Sequence, residues 1–438
     1  MMSPVIGLKP FAFTLLWAVM ASAMLLESDA YRYATIALFC FSLVWCRRHL
    51  RLVARDWLAI LCWLWAAYAL IRFIAGIAIH DERGTSEWLY VFPLFFPGLG
   101  VALYCTRRYI FAAATVLVCA GLAGLLVTID YEALRTGERI YPLFHKNPIH
   151  AAIGCGMLFI TSVFWVLYAG ESGRLKGRRG GAMVALGVAT ATLSLVAILG
   201  AQSKGVWLAL LPSAALTVLL ALVLYGGRWR LPIVAACLAL AAIAVTGARD
   251  DILRVAAPTV EATDTMLSRM VLQTDPLDGI RRTVEDPETP ESMRERLKLW
   301  TNSLDTVASS PWVGWGNLWQ REWRQGTYSD TQQQLLHNGY LEILVRHGAL
   351  GIVVLALFVC VSIRRINHAF SAGVIPASLM GYLYSLGLFF FITVASNSNN
   401  RLAIGESYFL MAAAAVFAIS LATKSTLSSE DIGDRQAL

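Results

Sequence analysis

One stretch decides how this chain is read: His337-Asn338-Gly339-Tyr340-Leu341-Glu342-Ile343-Leu344-Val345-Arg346-His347-Gly348-Ala349-Leu350-Gly351, continued by an apolar run to residue 363. It ends a long polar region and opens a segment, 338–363, long and apolar enough to cross a hydrocarbon core of about 30 Å as one helix. His337 then stands where an aqueous compartment meets lipid. A neutral imidazole there can take up a proton near physiological pH and act on a lipid-linked and a soluble group at once. A histidine that caps the helix start, or bonds within a helix interface, fits the same residues equally well.

Composition sets the solvent. The 438 residues are 57% hydrophobic and only 15% charged, which excludes an ordinary soluble domain. We expect an all-α polytopic membrane protein with about twelve transmembrane helices, at 7–26, 33–46, 57–79, 88–105, 109–129, 149–169, 181–201, 205–225, 231–247, 338–363, 373–396 and 404–423. The eight cysteines lie in or beside apolar segments and spell out neither a disulfide framework nor a zinc cluster. The net charge of +7 speaks through its distribution, as topology, and no nucleic-acid partner is expected.

With the amino terminus in the cytoplasm, the cytoplasmic loops hold Arg47, Arg48, Arg51 and Arg55; Arg107 and Arg108; Arg174, Lys176, Arg178 and Arg179; Arg228 and Arg230; Arg364 and Arg365. The opposite loops carry Glu27 and Asp29, then Asp81, Glu82 and Glu87, then Asp130 and Glu132. That alternation follows the positive-inside rule and supports both count and orientation. Ala21-Ser22-Ala23 resembles a cleavage site, but the apolar residues run on past it, and an uncleaved first span is preferred. The expected organisation is nine spans in 1–247, a long helical loop outside the cytoplasm at 248–336, three spans in 337–423 and a cytoplasmic tail at 424–438.

Within the loop, residues 290–304 read as an amphipathic helix over the membrane mouth. Leu297, Trp300 and Leu304 recur at helical spacing, with Ser292 and Glu295 as a capping box. Residues 283–291, with Pro287 and Pro290, read as a turn or mobile lid, and Pro311, Gly314 and Gly316 mark the next break.

At 100° per residue, Gly348 and Gly351 return to within about 40° of the direction of His337, so a neighbouring helix is expected to pack closely there and hold the histidine rigidly. In Gly200-Ala201-Gln202-Ser203-Lys204-Gly205, Lys204 opens a helix, where backbone N–H groups and the helix dipole favour a phosphate. A snorkelling lysine is the bland alternative. Lys204, Arg296 and His337 all fall on one side of the membrane. Arg139-Ile140-Tyr141-Pro142-Leu143-Phe144-His145-Lys146-Asn147-Pro148-Ile149-His150 enters the sixth span from that side. It is a candidate lining for a sugar or pyrophosphate site, although each histidine alone fits an interface better. Arg72, inside the third span, and Arg401, after Asn397-Ser398-Asn399-Asn400, are weaker anion-site candidates.

His337-Asn338, nine residues, Gly348, two residues, Gly351 resembles the H[NSQ]-x9-G-xx-[GTY] pattern of the O-antigen ligases and related bacterial O-oligosaccharyltransferases, with every defined position matched. Arg296-x-x-x-Trp300 followed by Pro311-Trp312-Val313-Gly314-Trp315-Gly316 resembles the R-x-x-x-W…P-x-x-G-x-G stretch of the wider superfamily, which includes O-antigen polymerases. Gln202-Ser203-Lys204-Gly205 resembles its Ser-Arg-Gly motif with lysine for arginine, which keeps the charge and loses the bidentate fork. His145-Lys146-Asn147-Pro148 resembles, more loosely, an Asn-Pro-Asn-like element.

The resemblance implies a GT-C-like glycosyltransferase of a Gram-negative inner membrane, with its active site on the periplasmic side. The donor would be O-polysaccharide on undecaprenyl diphosphate, the acceptor a sugar hydroxyl of lipid A-core, and the reaction metal-independent and inverting. His337 would be the general base or would orient the hydroxyl, with Lys204 and Arg296 on the departing diphosphate. Asn338, Tyr340, Arg139, His145, Asn147, Arg72 and Arg401 are further candidates for substrate contact. No cofactor is implied, and no Asp-x-Asp pair on the outer side suggests a metal. A polymerase or a protein O-oligosaccharyltransferase would use the same chemistry. A lipid or sugar transporter is disfavoured by the absence of an obvious internal repeat.

Overall fold

A computed structural model describes residues 5–84, 86–224, 249–272, 276–328 and 335–436 of the chain. Its α-helices run α1 Val5–Ala21, α2 Ala30–Trp45, α3 Arg47–Val53, α4 Trp57–His80, α5 Phe96–Thr106, α6 Ile110–Thr128, α7 Tyr131–Thr136, α8 Pro148–Glu171, α9 Gly177–Gly200, α10 Lys204–Leu224, α11 Arg249–Leu272, α12 Pro276–Glu285, α13 Glu291–Ser309, α14 Trp319–Trp323, α15 Gly339–Ser371, α16 Ala377–Ser396 and α17 Ala403–Gln436. Among the described residues there is no strand beyond an isolated bridge between Leu26 and Phe144. The protein is an all-α polytopic membrane protein. Seven described helical stretches are long and apolar enough to cross a membrane, and shorter apolar helices cover Pro10–Met24, Ala30–Trp45 and Lys204–Leu220.

The expected spans are mostly helices, with ends moved by a few residues. The expected span at 88–105 is not a single helix: Glu87–Leu94 is a 3-10 segment, and α5 restarts with Pro97 in its first turn. Proline lacks the N–H that a helix interior needs, and Pro93 falls where the first segment ends. The expected loop at Arg107 and Arg108 is only a 3-10 turn, so Phe96–Thr128 forms one apolar stretch. The span expected at 231–247 lies outside the described residues. Helix α17 continues to Gln436, through most of the stretch read as a tail.

The centre of the bundle is α8 and the first part of α17, each about 72% buried over its apolar window, against 28% for α4. One core packs Ile153, Met157 and Leu158 of α8 against Ile198, Phe389 and Phe390. A second packs Trp17, Tyr31 and Leu99 against Leu410 and Phe417 of α17.

Two readings of the loop helices are corrected. Helix α13 starts at Glu291 with Pro290 as its cap residue and no side-chain cap, and Glu295 pairs with Lys298 at 2.8 Å instead of closing a capping box. Leu297 is buried while Leu304 lies at the surface, and Leu299, Thr301, Asn302 and Ser303 are buried beside it. The helix is therefore covered on more than the one stripe that the spacing predicts. The turn after α12 is tied down: Arg269 pairs with Asp286 at 2.6 Å and the Thr289 hydroxyl donates to the Thr283 carbonyl at 2.7 Å.

Helix α15 is broken inside. Gly348 has φ 60° and ψ −157°, a conformation essentially restricted to glycine. Such a break releases N–H and C=O groups that need partners when buried. The loop 311–316 supplies them: Ala349 N–H donates to Pro311 O at 2.8 Å, Leu350 N–H to Trp312 O at 3.1 Å, and Trp315 N–H to Val345 O at 2.8 Å. Gly348 thus admits a backbone loop, and no neighbouring helix uses it for close packing as the 100° spacing suggested. A Cβ at Gly348 would lie 2.4 Å from the Trp312 carbonyl carbon. Gly348→Ala is expected to lower stability by about 1–3 kcal/mol or more, and an unchanged thermal unfolding midpoint in detergent would refute this account.

Candidate functional site

His337 precedes α15 and sits in a left-handed turn, φ 50°. It is not on the helical face inferred from the sequence. Asn338 is the cap residue, its side chain accepting from the N–H groups of Tyr340 and Leu341 at 3.0 and 3.3 Å. The turn is held from both sides. The Leu336 N–H donates to Glu342 Oε1 at 2.8 Å, and the Trp300 indole donates to the Leu336 carbonyl at 3.0 Å. The Arg-x-x-x-Trp stretch therefore places its tryptophan beneath the histidine turn.

The imidazole Nδ1 lies 3.3 Å from Asn397 Oδ1. Asn397 donates its own amide N–H to Asn399 Oδ1 at 2.7 Å, which turns its oxygen toward the histidine. An acceptor on that side makes Nδ1 the protonated nitrogen and Nε2 the basic one. Burial lowers the pKa of His337 below the ordinary imidazole value, and the Arg296 charge lowers it further, against the Asn397 bond and the Glu342 charge. The ring is neutral at neutral pH and can accept a proton.

Arg296, on α13, bears electrostatically on both His337 and Lys204. Among the described residues no carboxylate pairs with it. Burial lowers its pKa, as expected for a guanidinium without a counter-ion. Lys204 opens α10 and donates to the Thr259 hydroxyl at 2.6 Å. The start of α10 presses on the end of α16, so a Cβ at Gly205 would lie 2.3 Å from Ser396 Oγ, one residue before Asn397. His150, in the first turn of α8, lies within electrostatic reach of His337 and of Glu27. The fold thus assembles an imidazole, two cations that meet no carboxylate among the described residues, and a helix N-terminus. Such a group suits an anionic leaving group.

The other expected contacts are placed differently. Arg139 is exposed and donates to the Ala201 carbonyl at 2.9 Å, beside the Lys204 turn. His145 is buried with Nε2 3.2 Å from the Met24 carbonyl, and burial lowers its pKa. Asn147 caps α8 through Ile149 N–H at 2.8 Å. The Tyr340 hydroxyl donates to the Phe391 carbonyl at 2.8 Å. Arg72 spends its guanidinium on Tyr68 and on the carbonyls of Val313 and Gly314, pinning the 311–316 loop to α4. Arg401 pairs with Glu342 at 2.9 Å.

That last pair belongs to a network not singled out from the sequence. Arg346, fully buried, lies 2.9 Å from Glu87 Oε1 and 2.5 Å from Glu342 Oε2, with its guanidinium 4.2 Å from the Trp319 ring centre. Glu342 also accepts from the Ser398 hydroxyl at 2.7 Å. A carboxylate and an arginine four residues apart within an apolar helix were the available signal, since charges at that depth persist when paired.

Arg296→Gln separates the electrostatic part of this picture from the rest. A neighbouring positive charge disfavours the imidazolium, so its removal raises the pKa of His337. The acid limb of the pH profile of transfer is expected to move to higher pH in this variant, whatever happens to the maximal rate. A limb that stays in place, or moves down, would detach Arg296 from the histidine.

Fold and site together define a polytopic membrane protein with a cationic, histidine-bearing site at one end of its helical bundle. The family model described as O-antigen ligase matches residues 189–359, the stretch that carries Lys204, Arg296, the 311–316 loop, His337 and Gly348. The match supports placing the chain in the O-antigen ligase family, and with it an O-antigen ligase/polymerase-like, glycosyltransferase-like membrane enzyme. A search of curated proteins finds no match.

Proposed function

We propose that the protein is an O-antigen ligase. It moves a completed polysaccharide from undecaprenyl diphosphate to a sugar hydroxyl of lipid A-core on the periplasmic face of the inner membrane. What supports this reading is that His337 lies within electrostatic reach of Arg296, and Arg296 within reach of Lys204, in the stretch that the family model matches. His337 Nε2 takes the proton of the acceptor hydroxyl as its oxygen attacks the anomeric carbon. The bond from that carbon to the diphosphate oxygen breaks on the opposite face, with inversion, and the diphosphate leaves onto Lys204 and Arg296.

Deleting the gene tests the acceptor. Lipid A-core without polymer, with polymer still accumulating on undecaprenyl diphosphate, is the expected result. Loss of the polymer altogether would point to a polymerase, and unchanged lipopolysaccharide would overturn both readings. Transfer by the purified protein is expected to survive excess chelator, because each role above falls to a side chain. Strict dependence on added magnesium or manganese would overturn the mechanism.

A further inference from the structure

The polar loop that joins α16 to α17 is docked on the histidine turn at several points. Ser398 donates its hydroxyl to Glu342 Oε1 at 2.7 Å, the same oxygen that takes the Leu336 N–H at 2.8 Å. The Asn400 amide donates to the Gly339 carbonyl at 3.1 Å, and Arg401 pairs with Glu342 at 2.9 Å. Positions on both sides of His337 are thereby tied to this loop. Asn397 leaves α16 in an extended conformation, φ −158°, and reaches the imidazole from a buried position.

Three side chains then form a chain with a direction. His337 Nδ1 lies 3.3 Å from Asn397 Oδ1, and Asn397 donates its amide N–H to Asn399 Oδ1 at 2.7 Å. Turned over together, the two amides would present an N–H to Nδ1, leave the ring proton on Nε2 and take away the base. The direction of the chain therefore decides what the imidazole can do. Its first member is also an amide and not a carboxylate. The charged and titratable groups that bear on the ring are Arg296 of α13, Glu342 of α15 and His150 of α8, and Glu342 is held by Arg346 and Arg401. An amide fixes the tautomer without adding a negative charge that would favour the imidazolium.

We infer that Asn397 and Asn399 are positioning residues, which together hold His337 with its proton on Nδ1 and leave Nε2 unprotonated toward the acceptor hydroxyl. The inference rests on the proposed transfer and adds what keeps its base in one tautomer.

The test uses the full-length protein with 15N in its seven histidines, the His337 signals being identified by their loss in His337→Asn. With the ring neutral and no substrate present, the protonated, pyrrole-like nitrogen is expected to be Nδ1. In Asn397→Leu the Nε2–H form is expected to appear beside it. In the same variant kcat for transfer falls several-fold, a smaller loss than the about 10²- to 10⁴-fold that removing a general base causes, and KM for the donor is unchanged. Asn399→Ala is expected to shift the tautomer the same way, by less. Asn397→Asp keeps the shape. A carboxylate only accepts, so the Nδ1–H form persists, while its charge raises the pKa of the ring and moves the acid limb of the pH profile up by about one pH unit or more. An asparagine that served packing alone would move neither the tautomer nor the limb. An Nε2–H ring in the wild type, an unchanged tautomer in Asn397→Leu, or an unmoved acid limb in Asn397→Asp overturns the inference, and the last variant keeps it decidable if Asn397→Leu does not fold. The tautomer is read without turnover, so an Nδ1–H ring in a protein that transfers nothing counts against the proposed function and leaves this inference standing.

Discussion

Transfer by His337→Ala falls by about 10²- to 10⁴-fold, the range that one positioned general base contributes. The turn survives the substitution because neighbouring groups hold it: Leu336 through Glu342 and the Trp300 indole, and the helix start through Asn338. Folding and membrane insertion are therefore expected to be intact. A left-handed φ at residue 337 is tolerated more readily by asparagine than by alanine. His337→Asn is accordingly a second variant that removes the base with less backbone strain, and the two should lose activity alike. KM for the donor changes little, since Arg296 and Lys204 remain. Wild-type activity in either variant would end the case for His337 as base or as orienter of the hydroxyl.

Arg346→Met lowers stability by about 3–5 kcal/mol, the cost of removing one partner from a buried ion pair. Methionine fills much of the same volume, so the loss comes from charge. Glu87 would lose this cation while keeping the indole donor of Trp319 at 3.1 Å, and Glu342 would keep Arg401. Because Glu342 also holds the Leu336 N–H, the histidine turn loosens and transfer declines along with stability. Glu87→Gln combined with Arg346→Met also removes the negative charge that Arg346 balances and is expected to recover part of the loss. An unfolding midpoint unchanged in the single variant would mean that the network contributes little.

Much of the site was legible in single positions. Lys204 at a helix start and Arg296 ahead of Trp300 were both apparent from residue type and spacing, and in the fold Arg296 bears electrostatically on both Lys204 and His337. What failed was geometry extended across a break. The 100° rule assumed one helix from 337 to 351, whereas His337 lies before the helix and Gly348 interrupts it. The capping box failed similarly, because Ser292 and Glu295 fall inside a helix that begins at Glu291. Arg72 and Arg401 were sensed as costly charges but assigned to substrate. Their partners, the carbonyls of Val313 and Gly314 and the carboxylate of Glu342, are 241, 242 and 59 residues away.

By itself the sequence determined the solvent, the helical class and the chemical types at the site. Composition decides whether a chain can bury itself in lipid, and an imidazole or a guanidinium carries its chemistry wherever it lies. The tertiary structure alone decided which charges are paired within the fold. Lys204 and Arg296 meet no carboxylate among the described residues, while Arg346 and Arg401 are held by Glu87 and Glu342. Charge pairing acts over a few ångströms in space and pays no regard to distance along the chain, so only the folded bundle separates the arginines held in ion pairs from the cations that meet no carboxylate among the described residues.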